Sequence, residues 1–189
     1  MNAEELWAFC QGVVLGFEGG FQKRPDDPGN WTGGQVGKGE LRGTKRGISA
    51  AAYPDLEIEA LTDEQIVGLY KRDYWDKNRC GEMPPRWALA AFDASVLQGV
   101  FGAAFCLQRA LGVAQDGKIG AQTIAAVLAA DQESPRPVSM IRFLKERAFA
   151  EDKIIAANPS MVAWAATWEE RMFTLAWHVF GPELAAAVS

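Results

Sequence analysis

Glu18 is the residue best placed to act as an acid. It follows an apolar stripe of Leu6, Phe9, Cys10, Val13, Val14 and Phe17, whose spacings of three and four predict a helix, and it stands between Phe17 and Phe21. The negative end of a helix dipole disfavours an anion, and flanking aromatic bulk excludes water. Both effects favour a carboxyl that stays neutral near pH 7, the property a general acid for glycoside cleavage needs. From position alone Glu18 also reads as an ordinary solvated carboxylate at a helix end. Other chemistries are poorly supplied. The single histidine, His178, cannot build a zinc site from two or three imidazoles, so zinc amidase and zinc protease chemistry is excluded within one chain, and neither a metal nor another cofactor is implied. Cys10, Cys80 and Cys106 are odd in number and widely spaced, as expected of a chain folded in a reducing compartment without a disulfide framework.

The elements around Glu18 are legible from their punctuation. Asn2 caps the first helix with Glu5 three residues later, and Gly19-Gly20 is expected to end it through a left-handed cap. Residues 19–47 hold nine of the nineteen glycines and few aliphatics, so turns and short hairpins are expected. The 31–43 stretch reads either as a functional loop or as a solvated insertion. Thr62 with Gln65 forms a second capping box for a helix through about Asn78, and Pro84-Pro85 open another to about Gln98. Gly99 and Gly102 are expected to break the run. Further helices should end near Leu111, run from Gly120 to Ala130, start at Ser134-Pro135, and run from a Ser160 cap to Phe180. No long alternating run demands a sheet. The fold class is therefore mostly α with a small N-terminal loop or β-hairpin lobe.

Charge narrows the partners. Nineteen Lys+Arg against 24 Asp+Glu give a net charge of −5, which offers no counter-charge to nucleic acid. Residues 21–50 nevertheless carry Lys23, Arg24, Lys38, Arg42, Lys45 and Arg46 against Asp26, Asp27 and Glu40, a local excess of +3. Glu4 and Glu5 stand where a signal peptide needs positive charge, so no Sec export is expected, and no run of about 18 consecutive apolar residues predicts a membrane span.

The ordered motifs Glu18-Gly19-Gly20-Phe21, Asp26-Asp27-Pro28-Gly29-Asn30 and Thr44-Lys45-Arg46-Gly47-Ile48-Ser49 resemble the N-acetylmuramidases of glycoside hydrolase family 108, phage-type endolysins and relatives with a lysozyme-like helical fold. The resemblance continues through Tyr70-Lys71-Arg72-Asp73-Tyr74-Trp75-Asp76 and Ala91-Phe92-Asp93. Leu107–Gly112 and Asp116–Gly120 look like that family's C-terminal peptidoglycan-binding region. It implies a muramidase region over residues 1–98 and a helical peptidoglycan-binding region over 99–189 packed on the same core. It implies Glu18 as the essential acid, Asp27, nine positions later, as its partner, and a threonine acting with Asp27. Thr32 keeps the short spacing, whereas Thr44 precedes the Gly-Ile motif and is the favoured choice.

The implied reaction cleaves the bond between N-acetylmuramic acid and N-acetylglucosamine, with Asp27 and Thr44 stabilising the oxocarbenium-like centre or orienting water. A non-catalytic peptidoglycan-binding or virion module and a lytic transglycosylase are the competing readings. The implied partner is the peptidoglycan glycan strand at the cell wall, reached from the cytoplasm through a holin, another secretion route or a phage-like particle. Asp26, Lys45, Arg46, Tyr70, Asp73 and Trp75 are expected to bind substrate, and Lys38, Arg42, Lys45 and Arg46 to hold an anionic strand near Glu18 if the basic loop borders the cleft. Asp26 equally reads as a turn former, and Tyr70 and Trp75 as core. Asp93 is expected to be a buried network acid, and Trp164, Trp168, Trp177, Met161, Met172 and Phe173 core.

Overall fold

The computed structural model describes residues 1–133, 137–157 and 159–181; the expected helix start at Ser134-Pro135, the Asn158 break and the Ser160 cap lie outside the described residues and side chains. Six α-helices are described: α1 (Ala3–Leu15), α2 (Asp63–Tyr70), α3 (Pro85–Leu111), α4 (Ala121–Asp131), α5 (Val138–Ala157) and α6 (Ala165–Phe180). With them comes one small antiparallel sheet in the order β1 (Phe21–Gln22), β2 (Thr44–Lys45), β3 (Ile48–Ser49). The fold is mostly α and lysozyme-like, with a small β lobe. It divides into two compact units, residues 11–70 and residues 1–10 with 71–189.

Both capping boxes form. Asn2 Oδ1 accepts from the amides of Glu4 and Glu5 while Glu5 Oε2 accepts from the Asn2 amide, and Thr62 and Gln65 exchange the same reciprocal pair. The end of α1 differs from expectation. The helix stops at Leu15, the amides of Phe17 and Glu18 close tight turns onto Val14 and Leu15, and neither Gly19 nor Gly20 is left-handed. α2 is likewise shorter than its pattern, passing at Lys71 into a π-helical turn that ends at Trp75.

In the unit of residues 11–70, the 31–43 segment is an ordered loop rather than a floppy insertion. Trp31 bridges Leu41, and Thr32 and Glu40 exchange backbone and side-chain hydrogen bonds. β2 and β3 are joined by Arg46-Gly47 with φ of 45° and 75°, the two-residue turn whose positive angles match strand twist. A non-glycine residue there is strained, and both of its backbone groups are tied down. The Arg46 amide donates to Gly19 O at 3.0 Å, and its carbonyl accepts from Tyr70 Oη at 2.8 Å.

In the other unit, α3 is the central helix. Fifteen of its residues are buried, and only Gly99 leaves helical geometry, so the break falls there and not at Gly102. By length and apolar composition it could cross a membrane, which the count of consecutive apolar residues did not anticipate; 56% of its most apolar 18-residue stretch is buried inside the protein, as in a core helix. Asp93 on α3 is wholly buried and pairs with Arg147 of α5 at 2.5 Å and Arg171 of α6 at 2.8 Å, so it serves as a network acid holding three helices. The expected aromatic core of α6 is corrected. Its buried stripe is Arg171, Leu175 and Val179, which turns Phe173 and Trp177 to the outer face at 76% and 62% exposure. Trp164 is exposed as well.

Candidate active site

Unit 11–70 brings Glu18, Asp27, Thr44, Arg46 and Tyr70 onto one scaffold. Glu18 is half-buried, three residues beyond the end of α1. Its carboxylate lies against the β2–β3 turn. A Cβ added at Gly47 would come within 2.8 Å of Glu18 Oε2 and would overlap Tyr70 Oη. Only glycine meets both demands at this position, a positive φ and open space beside the carboxylate. Tyr70 is 1% exposed, so its ring is fixed by packing and its hydroxyl by Arg46 O.

Asp27 caps the 3₁₀ turn Pro28–Asn30. Its Oδ1 accepts from the Gly29 amide at 2.8 Å and its Oδ2 from Gln22 Nε2 at 3.1 Å. Gln22 Nε2 also donates to Asn30 Oδ1 at 3.0 Å, and that same oxygen accepts from Thr44 Oγ1 at 2.7 Å. Asp27 and Thr44 are therefore joined through two amide side chains. Gln22 and Thr44 face each other across β1 and β2, and Asn30 is fully buried. The hydroxyl of Thr32 is spent differently, accepting from the Glu40 amide inside the 31–43 loop.

Sequence reasoning quoted Asn30 as the end of a turn motif and gave it no role, and it passed over Gln22 altogether. The signal available was weak: a polar residue in a two-residue strand, and an asparagine closing Asp-Pro-Gly-Asn. What makes them functional candidates is burial and pairing, which a lone sequence does not print.

The remaining expected residues are placed elsewhere or otherwise engaged. Asp26 is exposed and held by Arg24 through two hydrogen bonds, which lower its carboxyl below the ordinary range. Lys45 Nζ donates to the carbonyls of Glu59 and Leu61 at 2.9 and 2.7 Å. Arg46 pairs with Asp63 at 3.4 Å, and Arg42 pairs with Glu40 and Glu57. Much of the basic island is thus neutralised within the lobe. Asp73 and Trp75 belong to the other unit. Asp73 pairs with Arg72 and Lys77, and Trp75, 4% exposed, packs edge-on against Trp7 and Phe92 at ring separations of 5.1 and 5.5 Å. Such burial favours the core reading of Trp75. The Leu107–Gly120 motifs also build structure. Gln108, 1% exposed, donates to Asp116 Oδ1 and Lys118 O and accepts from the Gly117 amide. Among the described residues, no cluster of three or more His, Cys, Asp or Glu could hold a metal ion. The three cysteines are free and buried, and burial pushes each thiol up.

Comparison with known proteins gives a family match and a similar solved structure. The family model Glycosyl hydrolase 108 matches residues 12–99, a span that contains Glu18, Asp27, Thr44 and the two amides linking them. The solved structure of Brucella abortus SagA is similar at a TM-score of 0.70 and 26% identity, over 93% of this chain and 94% of that one. No curated protein sequence matches. The Glycosyl hydrolase 108 match over residues 12–99 and the likeness to SagA over most of the chain together support a glycosidase of the peptidoglycan-hydrolysing type.

Proposed function

We propose that this glycosidase cleaves the β-1,4 bond between N-acetylmuramic acid and N-acetylglucosamine in peptidoglycan. Glu18 protonates the glycosidic oxygen as the C–O bond breaks, and an oxocarbenium-like centre develops at the muramic carbon. Asp27 and Thr44 hold a water on the opposite face. That water adds to the carbon and gives its proton to the Asp27 carboxylate. This assignment carries a stereochemical expectation, inversion at the anomeric carbon, and a separation of about 6.5–9.5 Å between the two carboxylates. Arg46 and Tyr70, which border Glu18, are proposed to shape the adjoining sugar subsite. Residues 99–189 are proposed to add peptidoglycan affinity, on the resemblance of the Leu107–Gly120 motifs.

The observation that supports this reading best is the convergence on one hairpin. The strand holding Thr44 is linked through Asn30 and Gln22 to Asp27, and the turn at its end holds Gly47 against the Glu18 carboxylate. Glu18→Gln assayed on purified peptidoglycan, with melting temperature measured in parallel, tests it. Activity retained in a folded variant would overturn the mechanism. Mass spectrometry of the wild-type products separates hydrolysis from transglycosylation, because an anhydromuramic end lacks the added water.

A further inference from the structure

We infer that Gln22 and Asn30 are positioning residues that fix the hydrogen-bond polarity of Asp27 and Thr44, so that both can only accept from the attacking water. This inference rests on the proposed roles of Asp27 and Thr44.

The polarity is set by the backbone of Arg24. Its amide, which can only donate, lies 3.0 Å from Gln22 Oε1, and its carbonyl, which can only accept, lies 2.9 Å from Asn30 Nδ2. These two contacts decide which end of each side-chain amide is oxygen and which is nitrogen, an assignment that otherwise depends on the whole network. The remaining ends then have no freedom. Asn30 Nδ2 also donates to Gln22 Oε1 at 2.7 Å, and Gln22 Nε2 is left to face Asp27 Oδ2 and Asn30 Oδ1. Asn30 Oδ1 can only accept, so the single Thr44 hydroxyl proton is committed to it.

Thr44 Oγ1 is thereby left with lone pairs alone. Asp27 is an acceptor already, with one oxygen held by the Gly29 amide and the other by Gln22. A water bound by both groups must donate both of its protons to them, which leaves an oxygen lone pair for the muramic carbon. A threonine free to rotate would instead donate to that water in part of the population and block the lone pair. The device needs burial to work, because solvent would offer the amides other partners; Asn30 is wholly buried and Gln22 half-buried.

Two variants test the inference against a merely structural role. Asn30→Ala is expected to lower kcat about 10- to 100-fold with KM within threefold, and to lower it no further when Thr44 is already Val, since both changes remove the same acceptor geometry. Independent, multiplying losses in the Asn30→Ala/Thr44→Val pair would overturn it. Should Asn30→Ala fail to fold, Gln22→Glu serves. It keeps the side-chain shape but sets a second carboxylate against Asp27, so the acid limb of the kcat–pH profile should move up by about one pH unit or more. A folded Gln22→Glu enzyme with wild-type kcat and an unmoved limb would also overturn it. In either case Asp27→Asn and Glu18→Gln still abolish activity if the proposed function holds, so failure of the polarity argument is distinguishable from failure of the function.

Discussion

Replacing Gly47 with alanine probes the least forgiving point of the site. The added Cβ would sit 2.8 Å from Glu18 Oε2, about 0.6 Å inside ordinary contact. The flexible Glu18 side chain can swing away, but Tyr70, 1% exposed and bonded to Arg46 O, cannot retreat, so its overlap with the added Cβ is eased only by a shift of the β2–β3 turn. Moving that carboxylate costs little folding energy, whereas shifting the turn strains its bonds to Gly19 O and Tyr70 Oη and lowers stability as well. Catalysis is far more sensitive, since misplacement of a reacting group by about 1 Å can cost about 100-fold. The backbone adds a separate penalty, because φ of 75° disfavours a Cβ by about 1–2 kcal/mol, or about 2–8 °C in melting temperature for a chain of this size. Gly47→Ala is therefore expected to lower kcat on purified peptidoglycan 10- to 100-fold. Gly47→Asn separates the two effects: asparagine tolerates the left-handed region, so its thermal loss should be smaller while its kcat loss is as large. A folded Gly47→Asn enzyme within threefold of wild-type kcat would refute the placement of Glu18 against this turn as the determinant of its function.

Three other outcomes are expected. Thr44→Val should lower kcat about 100-fold, whereas Thr32→Val should lower melting temperature by loosening the 31–43 loop and leave kcat within threefold; the reverse order would reassign the threonine. Lys45→Met should destabilise the fold by about 1–2 kcal/mol through loss of two charge-assisted bonds to carbonyls, with KM unchanged, measured by thermal melts beside saturation kinetics. Burial pushes the Glu151 carboxyl up to about 7, against about 4.5 in an unfolded chain, so the folded state binds its proton more tightly. Stability should then fall as pH rises from about 4.5 to about 7 and level off above, and Glu151→Gln should raise the melting temperature at pH 8 but not at pH 4, as calorimetry at the two pH values would show.

The helical frame was largely legible because its signals are local. Asn2 with Glu5, Thr62 with Gln65 and Pro84-Pro85 act within four residues, and each begins a helix as read. Helix ends were less legible. α1 stops three residues before Glu18, where Gly16 and two tight turns end it. The outer face of α6 was misread for a different reason: helical spacing shows that Phe173 and Trp177 share a face, but not that the buried face is the one holding Arg171, whose partner Asp93 lies 78 residues away. Long-range pairing of this kind decides the site too. Nothing local links Asn30 to Thr44 across the inserted loop.

The same distinction bears on the basic island. Summing charges along residues 21–50 gave an excess that invited an electrostatic role with an anionic strand, but charge counted along a chain is not charge presented to a ligand. Arg24 is held by Asp26, Arg42 by Glu40 and Glu57, and Arg46 by Asp63, while Lys45 is drawn onto two carbonyls. Two of those carboxylates, Glu57 and Asp63, lie outside the segment that was summed, which is why its local excess overstated the field. The cations that close contacts within the lobe fasten loop to helix: Arg42 reaches the carbonyls of Pro54 and Leu56, and Lys45 those of Glu59 and Leu61. Those four carbonyls belong to the segment between β3 and α2, the helix that ends in Tyr70 and so fixes the turn bearing Gly47. These cations of the island thus fasten the segment that leads into α2 and Tyr70, whose hydroxyl holds Arg46 O beside the turn that faces Glu18.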